Sequence, residues 1–165
     1  MRVLGVDPGS LTTGYGVVDF DGNRLSLTAQ GRIRLKSSDP FSLRLKIIYD
    51  EITEILRRYR PQQAALESLI FAKNVTSAFK LGQARGAAIV SAANAGLEIF
   101  EYAPLEIKKN VTGYGRADKN QVRHMVRTLL NRQDIFDENV SDALAVAICH
   151  LTISRSPLAA GRNGF

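Results

Sequence analysis

The chain opens with a short apolar run that ends on an acid. Residues 3–6 (Val-Leu-Gly-Val) are followed directly by Asp7 and then by the Pro8-Gly9 pair. An apolar run of this length that ends at Pro and Gly is typical of a buried strand followed by a turn. A buried strand holds its last residue rigidly, so the sequence predicts that Asp7 is presented at the edge of a sheet.

A second acid follows a similar run. Residues 64–66 (Ala-Ala-Leu) lead into Glu67 shortly after Pro61, a spacing too short for a helix that predicts another buried strand. A helix predicted over residues 41–59 lies between the two strands, so we expect the strands to be parallel neighbours. The two acids would then end at the same edge of the sheet.

The rest of the chain alternates between predicted strands and helices. Asp21-Gly22 is a hairpin signal, so the first three strands are expected to form an antiparallel meander. The further strands are predicted at 14–20, within 24–35 and at 97–102, and the further helices at 75–95, from Pro104, at 118–130 and at 139–153. This order predicts an α/β fold with a mixed five-stranded sheet flanked by helices. We expect one domain over residues 1–155 and a disordered tail at 156–165.

The charge balance favours a polyanionic partner. The chain has 22 Lys and Arg against 16 Asp and Glu, and it contains no long apolar run that would predict a membrane span. Such a basic excess is typical of nucleic-acid binding, although it can also serve solubility alone. The first strand follows Met1 directly and Cys149 is the single cysteine, so we expect no targeting segment, no internal disulfide and a cytoplasmic location.

A third acid can join the first two. Asp142 precedes the apolar run 143–148, in the first turn of the last predicted helix, and can therefore face the sheet. Asp7, Glu67 and Asp142 form a candidate carboxylate cluster, whose oxygen donors suit Mg²⁺ or Mn²⁺. Two such ions can activate a water and stabilise the leaving oxygen of a phosphodiester. Each acid also has a simpler interpretation (turn residue, exposed strand end and helix N-cap, in that order), and spacing alone does not decide between them.

Several motifs resemble those of bacterial Holliday-junction resolvases of the RuvC type. They are Gly5-Val6-Asp7-Pro8-Gly9, Thr13-Gly14-Tyr15-Gly16, Glu67 with Ala72-Lys73-Asn74, Leu81 to Gly86, Val111-Thr112-Gly113, Lys119 to Val122, and Ser141 to Ala145. The resemblance extends to His150 and implies a ribonuclease-H-like fold and a homodimer. It also implies an endonuclease of DNA recombination and repair that uses Mg²⁺, with Mn²⁺ as a substitute and two ions per site. Such an enzyme resolves four-way DNA junctions by paired symmetric nicks, with a sequence preference and the RuvA–RuvB branch-migration complex as partner.

The resemblance also assigns roles to individual residues. The three acids of the candidate cluster match the acids of the family, and Lys108 and Lys119 match basic residues near the scissile phosphate. One position departs from the family pattern: an acid or a histidine is expected one helical turn before Asp142, and this chain has Asn139 there.

Asn139 keeps the geometry of a ligand but not its charge. Its carbonyl oxygen is neutral, binds a divalent cation more weakly than a carboxylate and cannot act as a base. Asp137 and Glu138 are expected to point to other faces of the helix and therefore not to replace the missing acid. The chain would then be an inactive variant engineered to trap substrate, which we favour, or a natural enzyme with an altered metal site.

A DNA-binding surface and a dimer face can also be predicted. The candidate DNA contacts are Ile70, Phe71, Lys73, Asn74, Lys80, Arg85, Lys108, Arg116, Lys119 and Arg123. We expect the Ile70-Phe71 pair to be exposed and to stack on bases, the alternative being a core plug. The helix at 75–95 is rich in Gly and Ala, so it is either a dimer face or simply packs closely on its own sheet.

Three alternative functions can be considered from the sequence, of which a shorter nuclease relative acting on RNA is disfavoured by the match through residues 68–86. A non-catalytic junction-binding protein would be consistent with Asn139. The run Asp7 to Ser10, followed by Thr13-Gly14, also resembles the phosphate-binding hairpin of sugar kinases and actin-like ATPases, but that fold needs two such domains and we identify only one.

Overall fold

The computed structural model describes residues 1–68, 74–135 and 137–155, and their strands form one mixed sheet. The strands are β1 (Arg2–Asp7), β2 (Thr12–Phe20), β3 (Leu25–Arg34), β4 (Gln63–Glu67) and β5 (Glu98–Tyr102). Their order in the sheet is β3-β2-β1-β4-β5, with β1 antiparallel to β2 and parallel to β4. The predicted α/β class, the meander and the parallel pair are confirmed. The predicted tail at 156–165 lies outside the described residues.

Five helices cover the two faces of this sheet within the described ranges. They are α1 (Phe41–Tyr59), α2 (Val75–Asn94), α3 (Pro104–Thr112), α4 (Lys119–Leu130) and α5 (Glu138–Ile153). Helices α1 and α2 pack on one face, and α3, α4 and α5 pack on the other. None of the helices described is long and apolar enough to cross a membrane.

Local signals explain where the helices begin. Asp118 is the N-cap of α4 and forms a capping box with Gln121. The predicted start of this helix at residue 118 agrees with that cap. Asp137 caps α5, where its side chain accepts a hydrogen bond of 3.2 Å from the Val140 amide. Helix α5 thus begins with Glu138 and not with Asn139 as predicted, because the capping residue is Asp137.

Glycines allow α5 to lie directly on the sheet. A Cβ atom built on Gly5 of β1 would be 2.0 Å from the backbone oxygen of Ala143, and one on Gly14 of β2 would be 2.1 Å from that of Asn139. Real Cβ atoms do not approach so closely, so any side chain at these positions would push the helix away. The first two turns of α5 are therefore held against the ends of β1 and β2.

His150 and Cys149 belong to the buried core around this helix. Cys149 is fully buried and His150 is 1% exposed. The Nδ1 atom of His150 is 2.7 Å from the Tyr102 hydroxyl, and its Nε2 atom is 2.8 Å from Oε1 of Gln63. Burial lowers the pKa of His150 to about 4. The ring is therefore a neutral structural group with both nitrogens engaged, not a metal ligand.

The close approach of α5 can be tested by replacing Gly5. We expect Gly5→Ala to lower the free energy of unfolding by about 3 kcal/mol or more, because the added methyl group overlaps a helix backbone that cannot move without disrupting the core. Gly115→Ala is the control, since its nearest neighbour would lie 3.4 Å away, an ordinary contact. Urea unfolding measures both variants, and equal stability of Gly5→Ala and the wild type would contradict the packing described.

Candidate functional site

A pocket opens where β1 and β4 end beneath the first turn of α5. Its lining contains all six predicted catalytic residues. The full lining is Asp7, Glu67, Pro104, Ile107, Lys108, Lys119, Val122, Glu138, Asn139, Asp142 and Ala145. The structure therefore brings together the acids that sequence spacing alone could not place.

The strands deliver two of the acids to this pocket by register and alternation. Val6 of β1 pairs with Leu66 of the parallel β4, so Asp7 and Glu67 are equivalent positions at the ends of neighbouring strands. Side chains alternate along a strand, and Asp7 follows Gly5 on the face that is covered by α5. Glu67 reaches the same face because the core contacts of Ala65 are made there.

Helix α5 supplies the third acid. The simpler interpretation of Asp142 as a helix N-cap is wrong, because Asp137 occupies that position. Asp142 lies within the second turn, where the close contact with β1 and β2 directs it toward the strand ends.

Burial and neighbouring negative charge raise the proton affinity of the three carboxylates. Burial is the main cause that raises the pKa of Asp7 to about 7, and the charges of Asp142 and Glu67 raise it further. The pKa values of Glu67 and Asp142 are also raised, again mainly by burial. The pocket therefore concentrates negative charge that water solvates poorly, which is the environment in which a cation is stabilised.

Two lysines oppose this negative charge from other helices. Lys108 of α3 lowers the pKa of Glu67, and Lys119, the first residue of α4, lowers the pKa of Glu67, Asp7 and Asp142. The ammonium group of Lys119 also donates a hydrogen bond to Glu138. Both lysines thus lie at the acidic pocket, as the resemblance implied.

Glu138 is the residue that the sequence reasoning missed. The prediction that both acids before Asn139 point away is correct for Asp137, which caps α5 and pairs with Arg32 on another side of the helix. It is wrong for Glu138, which lines the pocket with Asn139. Residues 138 and 142 are four apart and therefore share a helix face, a spacing that the sequence already contained.

The donors of the pocket fit a hard divalent cation. Carboxylate oxygens and the carbonyl oxygen of Asn139 are ligands that Mg²⁺ and Mn²⁺ accept, and a cation would relieve the repulsion among the acids. Within the described ranges, no three His, Cys, Asp or Glu side chains are already gathered closely enough to hold one ion. Binding therefore requires some of these side chains to rotate toward a common point.

The predicted DNA contacts have different environments. Lys80 and Arg116 are exposed, and Asn74 caps α2 by accepting a hydrogen bond of 3.2 Å from the Ser77 amide. Arg123 donates a hydrogen bond of 2.6 Å to Asn120, and its charge lowers the pKa of Asp142. Ile70, Phe71 and Lys73 lie outside the described residues.

Arg85 differs from the exposed phosphate-binding residue that we expected. Its side chain is only 12% exposed and forms an ion pair with Glu101. Its Nε atom also donates a hydrogen bond of 3.5 Å to the backbone oxygen of Glu67. Arg85 thus supports the end of β4 beside the pocket, because an acid on β5 holds it there.

The raised pKa of Asp7 predicts a stability cost at neutral pH. Asp7 titrates near 4 in the unfolded chain and at about 7 in the folded one, so its contribution to stability is lost as the pH rises from about 4 to 7. In a chelating buffer at pH 8, Asp7→Asn is expected to be more stable than the wild type by roughly 2–4 kcal/mol, and the difference should vanish near pH 4. Urea unfolding at both pH values measures this, with the exposed Asp50→Asn as control; the same difference at both pH values would contradict the prediction.

Comparisons with known proteins identify the family of this chain. The family model described as crossover junction endodeoxyribonuclease RuvC matches residues 3–150. The protein of that name from Geotalea uraniireducens (strain Rf4) is 50% identical over 154 residues, which are 93% of this chain and 90% of the relative. The one from Geobacter sulfurreducens is 50% identical over 150 residues, covering 91% of this chain and 92% of the relative.

A solved structure shows the same architecture. The structure titled T. thermophilus RuvC in complex with Holliday junction substrate has a TM-score of 0.90 at 33% sequence identity, covering 94% of this chain and 95% of the other. The predicted ribonuclease-H-like fold is thereby confirmed. The family match shows an endonuclease that hydrolyses phosphodiester bonds. By sequence and by structure, the chain belongs to the crossover junction endodeoxyribonuclease RuvC family.

Proposed function

We propose that this chain resolves four-way DNA junctions by metal-dependent hydrolysis of phosphodiesters in the pocket of Asp7, Glu67 and Asp142. The observation that carries the proposal is the convergence of these acids, from two strand ends and one helix, beside Lys108 and Lys119. The solved relative named above is in complex with a Holliday junction substrate. Because the two chains are similar, we infer the same substrate for this chain. Paired symmetric nicks in recombination and repair follow from the same family likeness.

The acids and the lysines of the pocket have different proposed roles in the reaction. Asp7, Glu67 and Asp142, with the carbonyl oxygen of Asn139, would hold one or two Mg²⁺ ions, with Mn²⁺ as a substitute. When bound, these ions supply an activated water and stabilise the leaving oxygen. Lys108 and Lys119 balance the charge that develops on the scissile phosphate. The strand ends fix the backbone of two of the acids, so only their side chains would need to rotate toward the ions.

The basic surface would bind the DNA backbone around the pocket. Lys80, Arg116, Lys119 and Arg123 are the contacts supported by their positions on the described surface, and Asn74 lies at the start of α2 among exposed residues. The proposed stacking by Ile70 and Phe71 and the phosphate contact by Lys73 rest on the family likeness alone. So does the partnership with a RuvA–RuvB branch-migration complex, whereas the proposed cytoplasmic location is based on the single cysteine.

We also propose a homodimer that forms through α2. Val75, Phe79 and Val90 lie on its outer face and are 70%, 69% and 51% exposed. Gly82 and Gly86 share that face, and a Cβ built on either would have no atom within 4 Å. Packing on the chain's own sheet uses the opposite face and therefore does not explain these glycines. A second copy of α2 could approach closely there, which would give a two-fold junction two active sites.

The dimer predicts a specific response to a charge on α2. Phe79→Asp is expected to convert a dimer into a monomer at micromolar concentration, because it places a charge in the apolar contact. Leu105→Asp is the matched control, since Leu105 is 64% exposed on α3, across the sheet from α2. Analytical ultracentrifugation measures both variants, and circular dichroism checks that they are folded. A wild type that is monomeric, or a Phe79→Asp variant that stays dimeric, would contradict the proposed face.

A second candidate function is favoured by one observation. Asn139 places a neutral amide in the pocket, which would suit a protein that binds junctions without cutting them. A cleavage assay on a synthetic four-way junction separates the two functions. Metal-dependent cleavage that is lost in Asp7→Asn supports the resolvase, whereas tight binding with no cleavage in Mg²⁺ or Mn²⁺ supports the binding protein.

The same assay tests the weakness at Asn139. We expect Asn139→Asp to increase the rate of Mn²⁺-dependent cleavage by at least about tenfold, because a carboxylate binds the cation more strongly than an amide and can accept a proton. The variant adds no bulk, so the contact of α5 with Gly14 is kept. Equal rates for the wild type and Asn139→Asp would show that the amide does not limit the reaction.

A further inference from the structure

The pocket lacks a charge at Asn139 but has one at the preceding residue. We propose that Glu138 supplies the fourth negative charge of the site and takes part in holding the divalent cation. This inference rests on the proposed metal-dependent reaction. It differs from the family pattern, in which the corresponding acid or histidine lies at the position of Asn139, three residues before Asp142.

The geometry of α5 allows this substitution. Glu138, Asn139, Asp142 and Ala145 line the same wall of the pocket. Residues 138 and 142 are four apart and are neighbours on the helix surface, as residues 139 and 142 are at a separation of three. A glutamate is one methylene longer than an aspartate, so its carboxylate can reach the same region from a position one residue earlier.

The charge of Glu138 already acts on the other acids. It is close enough to interact electrostatically with both Asp7 and Asp142. A solvated acid on a remote part of the surface would be screened from them. Glu138 therefore belongs to the electrostatic environment of the site in the metal-free chain.

Its present partner does not fix Glu138 in place. Glu138 pairs with Lys119, and their side chains are 54% and 66% exposed. An exposed pair of flexible side chains contributes little to stability, so the carboxylate can turn from Lys119 to a cation at small cost. Lys119 would then be released to contact a phosphate, as proposed for it above.

Two other roles for Glu138 must be separated from this one. Glu138 could be a surface residue without influence on the site, or it could act only by holding Lys119. In the first case its removal would not change cation binding. In the second case its removal would act on the cation only by leaving Lys119 unpaired, so the effect would require Lys119.

Binding of Mn²⁺ alone to the full-length chain tests the proposal without relying on cleavage. Isothermal titration calorimetry at one pH, without DNA, should show that Glu138→Gln weakens Mn²⁺ binding about tenfold or more relative to the wild type. Glu54→Gln is the matched control, because Glu54 pairs with Arg57 on α1 across the sheet, and it should bind Mn²⁺ as the wild type does. The double variant Glu138→Gln with Asn139→Asp should recover most of the lost affinity, since it returns the charge one residue later.

A Lys119→Met background separates a direct role from an indirect one. If Glu138 acts on the cation itself, Glu138→Gln should still weaken Mn²⁺ binding in that background, whereas loss of the effect would overturn the proposal. Unchanged binding by Glu138→Gln in an otherwise wild-type chain that binds Mn²⁺ would overturn this inference and leave the metal site in place. Failure of both the wild type and Asn139→Asp to bind Mn²⁺ would instead overturn the proposed metal site, and the inference with it.

Discussion

The close contact between α5 and the first two strands determines the rest of the site. Gly5 and Gly14 leave no room for side chains, so the backbone of the helix lies directly on the sheet. That contact fixes the height and rotation of the first turns of α5. Asp142 can meet Asp7 only because the helix is held at that distance.

The electrostatic properties of the pocket follow from this contact. Three half-buried carboxylates share one space, and their raised pKa values mean that the folded chain holds them ionised at a cost in stability. Structural packing alone gives no reason to retain such a cluster. The proposed binding of cations next to a phosphodiester gives such a reason, since stability is commonly sacrificed where function requires it.

Much of this arrangement could be predicted because local patterns determine it. The apolar runs that end at Asp7 and Glu67 identify β1 and β4, and the helix between them makes the two strands parallel. The position of Asp142 depends on a long-range contact through single glycines, which no local pattern expresses. Arg85 was expected at the DNA surface, but an ion pair with Glu101 holds its side chain in a largely buried position. The sequence does not reveal this pair, because only the tertiary structure places Glu101 of β5 beside Arg85.

The position of Glu138 was predicted wrongly for a different reason, because the spacing that places it beside Asp142 is present in the sequence. Considering only the separation of three between Asn139 and Asp142 left out the equivalent separation of four. A helix face contains both spacings, so a missing charge should be sought at each. When a chain lacks an acid that its relatives carry on a helix, an acid at the other of the two spacings can lie on the same face.

The balance of charge in the pocket also relates the cation to the substrate. Two lysines face four carboxylates when Glu138 is counted with Asp7, Glu67 and Asp142. A phosphate would be repelled by this net negative charge, whereas the proposed basic surface outside would attract the rest of the DNA. In the proposed reaction, divalent cations would reverse the sign inside the pocket, so that cation and scissile phosphate would each favour the binding of the other. On the proposed function, the DNA can therefore be held by its backbone before the metal ions allow the phosphate to enter.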